Sequence, residues 1–343
     1  MMFGDIILIC IPAATAAVGA LCSRRDLKAL FCIFFFSAVF CITGCGLFRG
    51  YGLPPVRDTS PAYMLIMYIC SALTDDPSVF TAVTAGLQSA VAAAAVFTVC
   101  TSPYEGAVMI TGCFVLTTFL SPTLFTAGMI CTAAAKYIRE GRTVRFTALI
   151  LAAACFDSSA LLLIPLYFIA MIPNIYICAG ISAAAAVLAA LFPGAVGGIL
   201  DFIGGGTSTG FAVPIPCAVI VGVFALLCVL MRAMLINRSA DLGRLANTAV
   251  TGAALTAGAA AAPVLSAAAL FTVMQAVTAL APEMYAIGGK FVEIVFKDSK
   301  KAARITFGTV CAAAVIGVCA YLVLSDAAGS GFFAAAVTGE AGL

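Results

Sequence analysis

Two arginines stand apart from every other cation in this chain. Of seventeen Lys and Arg residues, all but Arg49 and Arg57 gather in four clusters: Arg24/Arg25/Lys28, Lys136–Arg145, Arg232–Arg244 and Lys290–Arg304. Arg49 and Arg57 lie instead in a segment broken by Gly50, Gly52, Pro54, Pro55, Pro61 and Pro77. A guanidinium is a planar fork of N–H donors that grips phosphate oxygens in pairs. Asp58 adds a carboxylate able to take a proton, and Tyr63 adds a phenol. The plainer reading is that these arginines meet phospholipid headgroups or pair with Asp58, Asp75 or Asp76.

A second group is Asp157-Ser158-Ser159, the only polar cluster in the run Phe146–Ile172, with Asp157 its only charge. An ionised acid inside a bilayer costs about 2.5–3.5 kcal/mol on insertion scales, so such residues are usually functional. Asp157 reads equally as a helix cap bonded to its serines and as a general base. The third group is the loop Gly194–Gly210, GAVGGILDFIGGGTSTG, with Asp201 inside it. Its glycines permit close backbone approach, and successive amides in such loops form anion-binding nests. Glycine loops are also ordinary connectors.

The elements that must position these groups are membrane helices. The chain is 64% hydrophobic and only 9% charged, with a mean hydropathy of +1.17; soluble domains carry about 25% charged residues. Apolar stretches of spanning length recur from end to end, which predicts an all-α polytopic transmembrane bundle of 10–12 segments, one integral membrane domain over residues 1–343. The N-terminal run lacks a basic start and has its charges after the apolar stretch, so it reads as a first span and not as a secretory signal. Fifteen cysteines without a histidine, and without a Cys-x-x-Cys pair, argue against Cys/His metal sites. The expectation is therefore no metal, no cofactor and no nucleic-acid partner.

Basic clusters mark cytoplasmic loops, and this fixes a topology to test. Phe3–Leu21 and Ala29–Phe48 are spans 1 and 2. Ala62–Leu73 is too short to span and predicts an interfacial or re-entrant helix. Val79–Cys100, Gly106–Leu120 and Thr123–Ile138 follow. Between the clusters Lys136–Arg145 and Arg232–Arg244 lie three apolar runs, Phe146–Ile172, Ile175–Phe192 and Ala212–Met231, which is an odd number. Parity is restored if Phe146–Ile172 is a hairpin of two short helices turning at Asp157-Ser158-Ser159. Ala246–Ala262 and Val264–Leu280 then pair around Pro263, and Ile305–Leu324 is the last span. On this reading Arg49, Arg57, Asp58, Tyr63, the Asp157 turn and the two loops, 49–78 and 194–210, share the outer face. Small-residue runs such as Gly252–Ala262 and Ala183–Ala190 predict close helix packing.

Several stretches resemble the EpsG family of Wzy-like exopolysaccharide polymerases. They are VRDTSPAY (Val56–Tyr63), AAAKYIREGR (Ala133–Arg142) and AACFDSSALLLIPLYFI (Ala153–Ile169), in the family's order and spacing over about residues 30–170. Two positions depart: Asp157 stands where the family pattern has histidine, and Thr123-Leu124 stands where it has Arg-Gln. The resemblance implies a multi-pass protein of the cytoplasmic membrane that transfers a glycan from an undecaprenyl-pyrophosphate carrier onto a lipid-linked oligosaccharide repeat unit. Its partners would be that saccharide, membrane lipid and other exopolysaccharide assembly proteins. Arg49 and Arg57 would hold the pyrophosphate, Asp157 or else Asp58 would act as base, and Tyr63, Ser158, Ser159 and Asp201 would contact substrate. A transporter or flippase for a lipid-linked saccharide, and an inactive membrane scaffold, stand as alternatives.

Overall fold

The computed structural model describes residues 60–73, 77–99, 122–192, 215–259 and 265–296, with isolated positions nearby. Arg49, Arg57, Asp58, Asp75, Asp76, Asp201, the spans placed at Phe3–Leu21, Ala29–Phe48, Gly106–Leu120 and Ile305–Leu324, and most of the loop 194–210 lie outside the described residues. Among the described residues all regular structure is helical. The helices are α1 (Pro61–Leu73), α2 (Pro77–Val99), α3 (Pro122–Glu140), α4 (Thr143–Ala154), α5 (Leu163–Ala170), α6 (Ile175–Leu191), α7 (Ile215–Leu230), α8 (Arg232–Arg238), α9 (Leu242–Ala259) and α10 (Ser266–Val295). A 3-10 turn, Ser158–Leu162, leads into α5.

The first three helices each open with proline, whose missing N–H and fixed φ suit the first helical position. α9 and α10 form the centre. α9 packs on α10, α6, α7 and α5, and α3 lies on α10 while also touching α2 and α4. Small residues let the axes close up. A Cβ added at Gly258 would stand 2.8 Å from the Cβ of Ala186 in α6, and one at Gly252 would meet the backbone nitrogen of Val273 in α10 at 3.3 Å. Around this centre the core takes in Phe146, Ile150, Leu163, Phe271 and Leu280, all essentially inaccessible.

The 27-residue apolar run does fold as a hairpin, α4 going out and the 3-10 turn with α5 coming back. One expectation fails at α10. The sequence places this span at Val264–Leu280, yet the helix continues through Pro282 to Val295. The reason is tertiary: Glu283, buried beside the proline, is paired with Arg238 of α8. That contact and the packing of Met284 and Ile287 on the core hold the continuation in place. α10 is the described helix long and apolar enough by itself to cross a membrane. α7 and α8 would pass together but are bent by 60° at Met231.

Candidate functional site at the hairpin tip

The hairpin is fixed at both ends, and its base comes first. α3 ends in a left-handed glycine, Gly141 (φ 68°). The amide of Arg142 donates to Tyr137 O (3.0 Å) and that of Gly141 to Ile138 O (3.3 Å), a paired closure of the helix end that needs a residue tolerant of positive φ. Arg244 of α9 then donates to Arg139 O at 2.6 Å. At the other foot of the hairpin, Arg232 donates to Pro173 O (2.6 Å), and Asn247 donates through Nδ2 to Ala170 O (3.1 Å) and Ile172 O (2.6 Å). Residues 139–142, 171–174, 232–247 and Glu283 therefore gather at one end of the bundle, as the charge clusters predict.

The tip lies away from that end. α4 has 12 residues, which at about 1.5 Å per residue sets the tip about 18 Å along the bundle. A hydrocarbon core is about 30 Å thick, so a hairpin of this reach stops partway. At the tip Asp157 is in extended conformation, and its Oδ1 accepts from Ser159 N at 2.9 Å. Asp157 is only 6% exposed, Ser159 is buried, and Ser158 is half-buried. The cap reading is thus realised on one oxygen.

The start of α1 docks onto this tip. The Ala62 amide donates to Cys155 O at 3.1 Å, which joins the start of α1 to the end of α4. α2 ends at the basic end, where Val99 O accepts from Arg139 Nη1 at 3.4 Å. Its 23 residues run about 34 Å to the far end. Leu73 is four positions before Pro77, so α1 leads from the hairpin tip toward that far end. Two chain breaks, the start of α1 and the turn after α4, consequently meet, with Pro61 and Cys155 exposed at the contact. Broken helices at depth are where membrane proteins build polar sites.

Sequence reasoning singled out Asp157, Ser158 and Ser159, which share the hairpin tip, and Tyr63, which packs with Cys70, Ile66 and Met67 of its own helix. It passed over Ser60, although Ser before Pro at a helix start is a recognisable N-cap signature. It also passed over the polar seam beneath the tip. There Gln275 of α10 donates to Cys131 O at 2.6 Å, and Ser182 shares a 3.0 Å hydrogen bond with Thr251. Thr248, Thr251, Thr272, Gln275 and Tyr167 line a cavity with room for about one water. Among the described residues no group of His, Cys, Asp and Glu could hold a metal ion.

Residues 50–210 match the model of the EpsG family. Over those residues the chain is similar to that family. The matched stretch takes in both halves of the junction, α1 and the hairpin, and continues through α6 into the glycine loop with Asp201. It begins one residue after Arg49 and reaches further toward the C-terminus than the sequence motifs alone indicate. No curated protein and no solved structure matches the chain. The EpsG match points toward a membrane protein of exopolysaccharide synthesis, polymerase in kind.

Proposed function

We propose that this protein extends an exopolysaccharide by joining lipid-linked oligosaccharide repeat units at the outer face of the cytoplasmic membrane. The observation that carries the reading is the docking of α1 onto the Asp157 tip, within the EpsG-matched stretch and about 18 Å from the basic end. With the basic end cytoplasmic, this junction lies toward the opposite side. The acceptor sugar's hydroxyl oxygen attacks the anomeric carbon of the donor glycan. The bond from that carbon to the undecaprenyl pyrophosphate breaks, and its electron pair leaves with the pyrophosphate. Asp157 takes the hydroxyl proton, with Asp58 the alternative base. Arg57, three positions before Ser60 in the chain, and Arg49 stabilise charge on the leaving group. Tyr63, Ser158, Ser159 and Asp201 contact the saccharides.

The ties across the basic end, Arg244 to Arg139 O and Arg232 to Pro173 O, support this reading over a transporter, which needs a path to both faces. Complementation of a strain deleted for its exopolysaccharide polymerase tests it. Long glycan chains are the expected product. Single repeat units, with the protein present in the membrane, would overturn the proposal in favour of transport or a scaffold role.

A further inference from the structure

The last buried residue of α10 is Gly289, and the helix runs on to Val295 with none of its side chains buried. In this stretch and at the cap, Phe291, Ile294, Val295 and Phe296 are each more than half exposed. Phe291, Ile294 and Val295 stand at the i, i+3, i+4 spacing of one helix face, an apolar stripe about 100° wide. Lys290 is exposed at the edge of that stripe. It lies seven positions after Glu283, and so on the side of the helix that carries the Arg238 pair. The chain returns to α10 at Phe307, whose ring stacks on Tyr285 (5.5 Å) and lies over Gly288, where an added Cβ would meet it at 2.7 Å. That contact comes before Lys290 in the helix, and the last turns project beyond it.

Charge and length select what covers this end. Lys290, Lys297, Lys300, Lys301 and Arg304 follow one another in the sequence against two acids, Glu293 and Asp298. The centre of a protein interface is depleted in lysine. An apolar stripe edged by lysine suits instead the boundary between headgroups and acyl chains of an anionic leaflet. The 30 residues of α10 measure about 45 Å, the thickness of a hydrocarbon core together with both headgroup layers. Its final turns therefore reach headgroup level at the basic end of the bundle. There a lysine stem lies along apolar surface while its ammonium extends to phosphate. We infer that the last turns of α10 are an interfacial foot that binds anionic phospholipid, with Phe291, Ile294 and Val295 seated at the acyl boundary and Lys290 on the lipid phosphate. This rests on the membrane reading of the chain and is independent of the polymerase reaction.

The chain contains no tryptophan, so Phe291→Trp introduces a sole fluorescent reporter, and Ile294→Trp repeats the measurement one turn on. The full chain is placed in vesicles of equal parts phosphatidylglycerol and phosphatidylcholine, with bromine near the top of the acyl chains of one lipid or of the other. Bromine quenches tryptophan that it touches. Brominated phosphatidylglycerol should be preferred about fivefold, the factor for one lysine near an anionic surface. Lys290→Gln should lower the preference by about that factor, and about 1 M salt should remove it. Val223→Trp, at an exposed position of α7, is the reference and should be quenched by both lipids alike. If Val223→Trp is quenched while Phe291→Trp and Ile294→Trp are not, water or protein covers the end of α10 and the inference fails. Equal quenching at the foot by the two lipids, unchanged by Lys290→Gln, would also overturn it. If no reporter is quenched, the membrane reading falls and takes this inference with it.

Discussion

Arg238 Nε and Glu283 Oε2 sit 2.8 Å apart, an ion pair between α8 and α10. The two ends are unequal: the Glu283 side chain is 6% exposed, that of Arg238 39%. The two atoms pair by charge without the alignment of a hydrogen bond. Removing the arginine leaves a buried carboxylate without this partner. With Arg238 more than a third exposed, solvent screening keeps the loss to about 1–2 kcal/mol. Arg238→Ala should therefore lower the thermal midpoint in detergent clearly, and Glu283→Gln less so. A double variant no worse than Arg238→Ala alone would show that the two residues act as a pair.

Asp157→Asn separates the cap from the base. Asparagine caps as well as aspartate does, so expression and unfolding should stay near wild type. Loss of the general base should slow elongation by about 10²–10⁴-fold. Asp157→Ala should show the same loss and also destabilise by about 1 kcal/mol through the missing bond to Ser159 N. Gel profiles of glycan length beside melting curves would read both effects, and an Asp157→Asn protein making full-length chains would remove Asp157 from catalysis.

Gly258 and Gly86 form a contrasting pair. A methyl at Gly258 would meet Ala186 at 2.8 Å with its backbone Cα at 3.2 Å, whereas a Cβ at Gly86 has nothing within 4 Å. Gly258→Ala should force α6 and α9 apart and destabilise by about 1–3 kcal/mol. Gly86→Ala, inside α2, should stabilise by about 0.5–1 kcal/mol. Thermal unfolding of the two variants should therefore shift in opposite directions.

Gly141→Ala places a side chain at a left-handed φ and toward Arg244 Nη1, 3.1 Å from the new Cβ. The conformation alone costs about 1–2 kcal/mol. Gly141→Asn should cost less, since asparagine tolerates this φ. A melting series in the order glycine, asparagine, alanine checks it.

What the sequence revealed came from local or one-dimensional signals. The parity of apolar runs between basic clusters required a hairpin in Phe146–Ile172, and Asp157 was the one place it could turn. Pro61 and Pro122 announced helix starts within a residue or two. The contacts that escaped prediction join distant positions. Nothing near Ser60 indicates that the Ala62 amide meets Cys155, and nothing near Pro282 indicates that Arg238 will let the helix continue. Periodicity carries no information about such pairings, because they are set by how the finished helices pack.

The hairpin's own dimensions bear on how the chain is assembled. α4 and α5 are too short to cross a bilayer, and their tip holds a carboxylate. The bonds that secure their feet come from residues made much later: Arg232 is 59 positions beyond Pro173, and Arg244 is 105 beyond Arg139. During synthesis the hairpin therefore emerges before its partners exist. It acquires its seat only when α9 arrives, so biogenesis runs backwards here, with a later helix completing an earlier one.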